Sequence, residues 1–313
     1  MFEAILLVLG GFVLLGGGGE GLVSGSVSLA DRLKVPPLII GLTVIAFGTS
    51  APELTVSIQA AFQGQPDIAV GNIIGSNISN MLLVLGISAL IQPIIVQGKE
   101  LNRDGIFMLL VTLGFCFVAF YGDITRLVAV GMIGVIGLYT VYLYRLGSDE
   151  DATQEVSENP LAGASVFVCL VILALGTIAV VWGADLLVKG AVILATEFGV
   201  SEGVIGLTVV AIGTSLPELA ISILAALRGH AALAVGNIVG SNIYNILLIL
   251  GVTGLVHPIA IAPDFLLMDI WMLLGVSGLT VFLLSCQQGI SRVFGGLFLA
   301  TYIIYISFLF KFI

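Results

Sequence analysis

Apolar residues run through this chain in long blocks, interrupted by few polar positions. A helix that crosses a bilayer needs ~20 apolar residues. Ten such blocks follow one another, near residues 2–30, 38–63, 68–96, 104–121, 126–146, 161–190, 203–227, 232–261, 265–285 and 291–312. The pattern predicts an all-α integral membrane protein with ten transmembrane helices. Residues 147–160 form the one substantial hydrophilic stretch. The apolar start lacks a basic leading region and a convincing small-residue cleavage site, so it is expected to remain as the first helix. Spans 2, 3, 7 and 8 are unusual, because they carry Gly, Pro, Ser, Thr, Asn and Glu in mid-span.

The unusual spans are related to each other. Residues 41–86 align without a gap on 206–251, with 30 identities in 46 positions. GLTVIAFGTSAPEL (41–54) matches GLTVVAIGTSLPEL (206–219), and AVGNIIGSNISN (69–80) matches AVGNIVGSNIYN (234–245). The same offset carries Glu20 onto Asp185 and Pro93 onto Pro258. The chain therefore divides into a first five-helix repeat (1–146), an acidic linker (147–160) and a second five-helix repeat (161–313). Five is odd, so the second half enters the membrane from the opposite side. The expected architecture is an inverted-topology repeat, with helices 2 and 7 broken and equivalent residues meeting near the midplane.

Composition sharpens this picture. The chain has 313 residues, 59% of them apolar and 9% charged, with 40 glycines set inside apolar runs. Glycine in that setting lets helices approach closely. The net charge of −9 is not a surface property, since five of the nineteen acids (Asp149, Glu150, Asp151, Glu155, Glu158) lie in the linker. That linker lacks the spacing of a Ca²⁺-binding loop and reads as a solvated connection. Ten scattered Lys and Arg form no basic cluster, which argues against nucleic acid. Cys116, Cys169 and Cys286 stand alone in apolar stretches and read as small core residues. Placing Arg32, Lys34, Lys99, Arg103, Arg145, Arg228 and Arg292 on one side leaves Arg126, Lys189 and Lys311 on the other. The richer side is expected to be cytoplasmic. The chain is then a multi-pass protein of the cell membrane, with both termini outside and 147–160 in the cytoplasm.

Glu53 and Glu218 lie deep in apolar spans, where an acidic residue costs roughly 2.5–3.5 kcal/mol. The repeated segments contain no Lys or Arg except Arg228, at a span end. The compensating partner is expected to be a bound cation or a proton. Pro52 and Pro217 lack an N–H and crowd the carbonyls of Gly48 and Gly213, so the helices should break there. Carbonyls at and before the break, such as those of Ala46 and Ala211, are expected to lose helical partners. Together with the hydroxyls of Thr49, Thr214, Ser50 and Ser215, they offer the hard oxygens that suit Na⁺, Ca²⁺ or Mg²⁺.

In the second motif, Asn72, Ser76 and Asn80 are spaced i, i+4, i+8, as are Asn237, Ser241 and Asn245. That spacing sets three oxygen-bearing side chains along one helical face. Ser76, Ser241, Asn80 and Asn245 are read as ligands. Asn72, Asn237, Asn77 and Asn242 could equally tie helices together. Glu20 and Asp185 read as snorkelling or helix-end residues.

GTSxPEL and GNxxGSNxxN, each present twice, resemble the two repeats of the cation/Ca²⁺ exchanger superfamily, most closely its prokaryotic sodium/calcium antiporters. The resemblance spans nearly the whole chain. It implies that Glu53 and Glu218 bind Ca²⁺ and Na⁺ alternately, with Thr49, Ser50, Thr214, Ser215, Ser76, Ser241 and the carbonyls of Ala46 and Ala211 as ligands or near-ligands. It also implies that long spans 1 and 6 slide across a core. Some members carry Asp at the end of the second motif, where this chain has Asn245 and Asn80. The central site is then formally −2 instead of −3, which weakens any case for K⁺ co-transport.

The expected function is Na⁺/Ca²⁺ antiport by alternating access, with no cofactor, the inorganic cations as substrates and the protein working as a monomer in the lipid bilayer. A Ca²⁺/H⁺ antiporter is the nearest alternative. A channel usually gathers its acids by subunit symmetry around an axis normal to the membrane. An enzyme is not expected, because no catalytic order, HExxH or phosphate-binding loop is present.

Overall fold

The computed structural model describes residues 1–95, 99–147, 161, 163–199, 211–286 and 289–309. Almost all of these are helical. In the first half, α1 (Phe2–Leu33) is followed by α2 (Pro37–Thr49) and α3 (Ala51–Phe62), which meet at a 44° bend. Then come α4 (Pro66–Ile91), α5 (Lys99–Tyr121) and α6 (Arg126–Gly147). The second half gives α7 (Val166–Glu197), α8 (Ala211–Thr214), α9 (Leu216–Leu227), α10 (Ala231–Val256), α11 (Asp269–Cys286) and α12 (Arg292–Leu309). Among the described residues, eight helices are long and apolar enough to cross a membrane, and nine if α2 and α3 form one bent span. The remaining expected span, 203–227, is described only from residue 211 onward, and the linker lies outside the described residues beyond Gly147.

Helix ends follow local chemistry. α4 and α10 stop at Ile91 and Val256, short of the expected 96 and 261, because Pro93 and Pro258 come next but one. The residue before a proline is pushed into extended conformation. Gln92 (φ −133, ψ 117) and His257 (φ −143, ψ 123) show that effect at equivalent places. Gly64 and Gly229, with φ of 68° and 81°, supply the left-handed residue in the turns before α4 and α10.

α1 and α7 have 32 residues each, about 48 Å of helix at 1.5 Å per residue. They pack along their length, and small residues allow it. A Cβ on Gly11 would stand 2.7 Å from the Gly183 carbonyl oxygen, and one on Gly183 2.9 Å from that of Gly11. Gly18 and Gly176 face each other in the same way, 2.9 Å in both directions. Residue number falls on one helix as it rises on the other, so the pair is antiparallel. Gly11→Leu is therefore expected to overpack the seam by about 1–3 kcal/mol. Thermal unfolding in detergent should show a lower Tm for that variant, but not for Gly114→Leu, where nothing stands within 4 Å of the added Cβ.

α4 and α10 are the most enclosed long helices and form the centre of the core with α2, α3 and α9. The outer surface is apolar, with Phe117, Leu138, Phe167 and Trp182 at least 60% exposed. A hydrophobic exterior of this extent suits lipid. Two short antiparallel pairs join the halves. β1 (Ile94–Ile95) pairs with β4 (Gly289–Ile290), and β2 (Asp123–Ile124) pairs with β3 (Ile259–Ala260). A matched brace holds the outer helices. Tyr139 donates to Asp104 at 2.9 Å, where Arg103 also binds the carboxylate, and Tyr305 donates to Asp269 at 2.7 Å.

Candidate cation site

The site is built on two interrupted helices. Pro52 cannot donate to the Gly48 carbonyl, so α2 ends in a turn at Ser50 (φ −81, ψ 7) and α3 restarts with Glu53 in its first turn. The second half does the same at Ser215 (φ −88, ψ 2), Pro217 and Glu218. One expectation is corrected. The Ala46 carbonyl keeps its helical partner, accepting from the Ser50 N–H at 3.1 Å, with Thr49 Oγ1 at 3.3 Å. The reason is register, since the proline at 52 deprives residue 48 and leaves residue 46 paired. Ala211 opens α8, and its side chain is outside the described residues.

The turn that carries Glu53 reaches Glu218, since Ser50 Oγ stands 3.5 Å from Glu218 Oε1. Glu53 and Glu218 are both 0% exposed and lie close enough to interact electrostatically. Among the described residues, no basic side chain pairs with either. Among the described residues, Glu53 Oε1 and Oε2 and Glu218 Oε2 are buried without a hydrogen-bond partner, and Glu218 Oε1 receives a 3.5 Å contact from Ser50. Ser76 lies beside Glu53, and Thr49, Ser50 and Ser241 lie beside Glu218. Thr49 Oγ1 is 3.3 Å from Ser241 Oγ and 3.2 Å from Asn237 Oδ1, so it joins one half to the other. Ser215 Oγ is also buried and unpartnered. Thr214 is placed differently. It lines, with Asp185, a cavity of about 640 Å³ beside the centre.

α4 and α10 supply the opposite wall. Asn72 Nδ2 donates to the Glu53 carbonyl at 3.1 Å and to Ser57 at 3.0 Å, and Asn237 donates to the Glu218 carbonyl at 3.4 Å and to Ser222 at 3.1 Å. These two asparagines therefore tie the helices together. Asn80 and Asn245 each begin a π-helical turn, Asn80–Val84 and Asn245–Ile249. Such turns often mark functional positions. Both Asn80 side-chain atoms are buried without partners. Asn245 Nδ2 donates to Asn77 Oδ1 at 2.9 Å, which leaves Asn245 Oδ1 buried and free to accept. Sequence reasoning missed Ser57 and Ser222 as partners of the tying asparagines. Their equivalence across the repeat was the available signal.

Unpartnered oxygens at this density are costly unless something binds them, since each buried polar atom without a partner costs about 1–3 kcal/mol. Two carboxylates, several hydroxyls and amide oxygens, with no soft donor, make a hard-cation site.

The sequence model of the family described as "Sodium/calcium exchanger protein" matches residues 3–145 and 168–311. The chain belongs to the sodium/calcium exchanger family. CaxA of Alkalimonas amylolytica is 40% identical over 99% of this chain and 100% of its own length. The sodium/calcium exchanger MaX1 of Methanosarcina acetivorans is 31% identical, over 97% of this chain and 98% of its own. Among solved structures, the sodium-calcium exchanger NCX_Mj soaked with 10 mM Na⁺ superposes with a TM-score of 0.84 and 37% identity, covering 98% of both chains. As a member of an exchanger family, the protein is a cation antiporter and not an enzyme, and its substrates are inorganic cations.

Proposed function

We propose that the protein exchanges Na⁺ for Ca²⁺ across the cell membrane, using the Na⁺ gradient to extrude Ca²⁺. The observation that carries this reading is the pair Glu53 and Glu218, fully buried and, among the described residues, without a basic partner. Two carboxylates match the charge of one Ca²⁺ or of Na⁺ ions bound in its place. Thr49, Ser50, Ser215, Ser76, Ser241, Asn80 and Asn245 complete the proposed ligand set, with Thr214 and the Ala211 carbonyl as the counterparts of Thr49 and Ala46; the Ala46 carbonyl would join by giving up its Thr49 hydrogen bond. Asn at both ends of the second motif leaves the charge at −2.

The same reading takes the halves as inverted repeats of five spans each, with 147–160 between them. Two features support inversion. Equivalent helices α1 and α7 run antiparallel, and the pair Ile94–Ile290 has its counterpart in Ile124–Ile259 in the other sheet. The distribution of Lys and Arg favours termini outside and the linker in the cytoplasm.

Proteoliposomes loaded with Na⁺ should take up ⁴⁵Ca²⁺ when diluted into Na⁺-free medium, and equal uptake without a Na⁺ gradient would sink the coupling. Uptake driven by a pH gradient in Na⁺-free medium would point to Ca²⁺/H⁺ exchange instead.

A further inference from the structure

The two halves match in sequence but not in how tightly their long helices seal against the core. On one side, α1 closes onto α9. A Cβ on Gly19 would stand 2.5 Å from Leu224 Cδ1, and Val23 and Ile221 are buried in one apolar cluster. Beside them, Arg228 Nη2 binds Glu20 Oε1 at 2.8 Å. The equivalent interface lies between α7 and α3, and it is open. Val188 and Val56, the counterparts of Val23 and Ile221, both line the 640 Å³ cavity, as does Ala184, the counterpart of Gly19.

The ion pair is asymmetric in the sequence as well. The counterpart of Glu20 is Asp185, still an acid, but the counterpart of Arg228 is Gln63. Asp185 instead pairs with Lys189 on its own helix at 2.7 Å. When the long helices move so that α7 closes onto α3, Asp185 approaches a neutral residue. The closed α1–α9 seam has a charge clasp, whereas a closed α7–α3 seam has none.

From this broken symmetry we infer that Glu20 and Arg228 are positioning residues for transport, an ion pair formed only in the conformation seen here that biases the carrier toward it. The inference rests on the exchange reading for its purpose, since a carrier must visit both states. The pair is partly exposed, so its effect is modest. Exposed pairs contribute ~0.2–1 kcal/mol, which converts at 1.4 kcal/mol per decade to a roughly 1.4- to 5-fold change in the ratio of the two states.

The test is thiol labelling of the full-length protein in proteoliposomes, with Cys116, Cys169 and Cys286 replaced by Ala. Val56→Cys reports the open cavity, and Ile221→Cys the sealed seam. Arg228→Gln should slow labelling at position 56 and speed it at position 221. The charge swap Glu20→Arg with Arg228→Glu should restore the original ratio, and Gln63→Arg added to Arg228→Gln should push it further toward the opposite state. Unchanged labelling in Arg228→Gln, or a swap that fails to restore the ratio, would overturn the inference. Labelling reads conformation alone. If the labelling shifts but no Na⁺-dependent flux is measured, the clasp stands and the exchange reading falls.

Discussion

Glu53→Gln and Glu218→Gln are each expected to reduce Na⁺-driven ⁴⁵Ca²⁺ uptake by about 100-fold or more. The amide keeps the size of the side chain and one acceptor oxygen but removes half of the anionic charge. Removing one partner of a buried charge pair costs about 3–5 kcal/mol, and 1.4 kcal/mol is a factor of ten in affinity. The protein should still fold, because among the described residues both Glu53 carboxylate oxygens lack a hydrogen-bond partner and the Ser50 contact to Glu218 is long, at 3.5 Å. An unchanged Tm with lost flux separates a site defect from a folding defect. If both variants kept full exchange, the two carboxylates would not be the cation site.

Much of this was legible because the repeat converts weak signals into strong ones. A single Pro kink in a membrane helix is ordinary, but Pro52–Glu53 and Pro217–Glu218 at one offset mark a pair of interrupted helices. The structure broke the helices at Ser50 and Ser215, as the prolines require. What sequence could not resolve was the fine register of hydrogen bonds. The choice of Ala46 as a freed carbonyl failed because a proline deprives only the residue four before it. The roles of the asparagines were also ambiguous, because an amide can tie helices or face an ion. Partners decided the matter. Asn72 and Asn237 spend their N–H groups on the carbonyls of the two glutamates, whereas the Asn80 amide has no partner among the described residues. The asymmetry between the α1–α9 seam and the cavity beside α7 was invisible for a different reason. It lies in how the helices pack in this structure, which the near-identical repeat motifs do not distinguish.

Release of trapped ⁴⁵Ca²⁺ from proteoliposomes is expected to be about 100-fold slower into alkaline medium lacking both Na⁺ and Ca²⁺ than into the same medium containing either. After giving up its ion, the carrier must return across the membrane with Glu53 and Glu218 unpaired. Both are wholly buried, and among the described residues neither has a cationic side chain to neutralise it. The effective cost of burying an uncompensated ion is several kcal/mol, and ~3 kcal/mol is already a 100-fold slower step at 1.36 kcal/mol per decade. Bound Na⁺ or Ca²⁺ removes that cost, so an external ion restores the return step and release accelerates. Acidifying the ion-free medium should also speed release, because a proton on each carboxylate lets the empty carrier cross without charge. Equally fast release into ion-free medium at alkaline pH, where protons cannot take the place of the ion, would mean that the ion moves through a pore. The burial of the two glutamates would then have no part in coupling. On the proposed reading, the same two residues hold the cation when occupied and oppose an empty return when vacant.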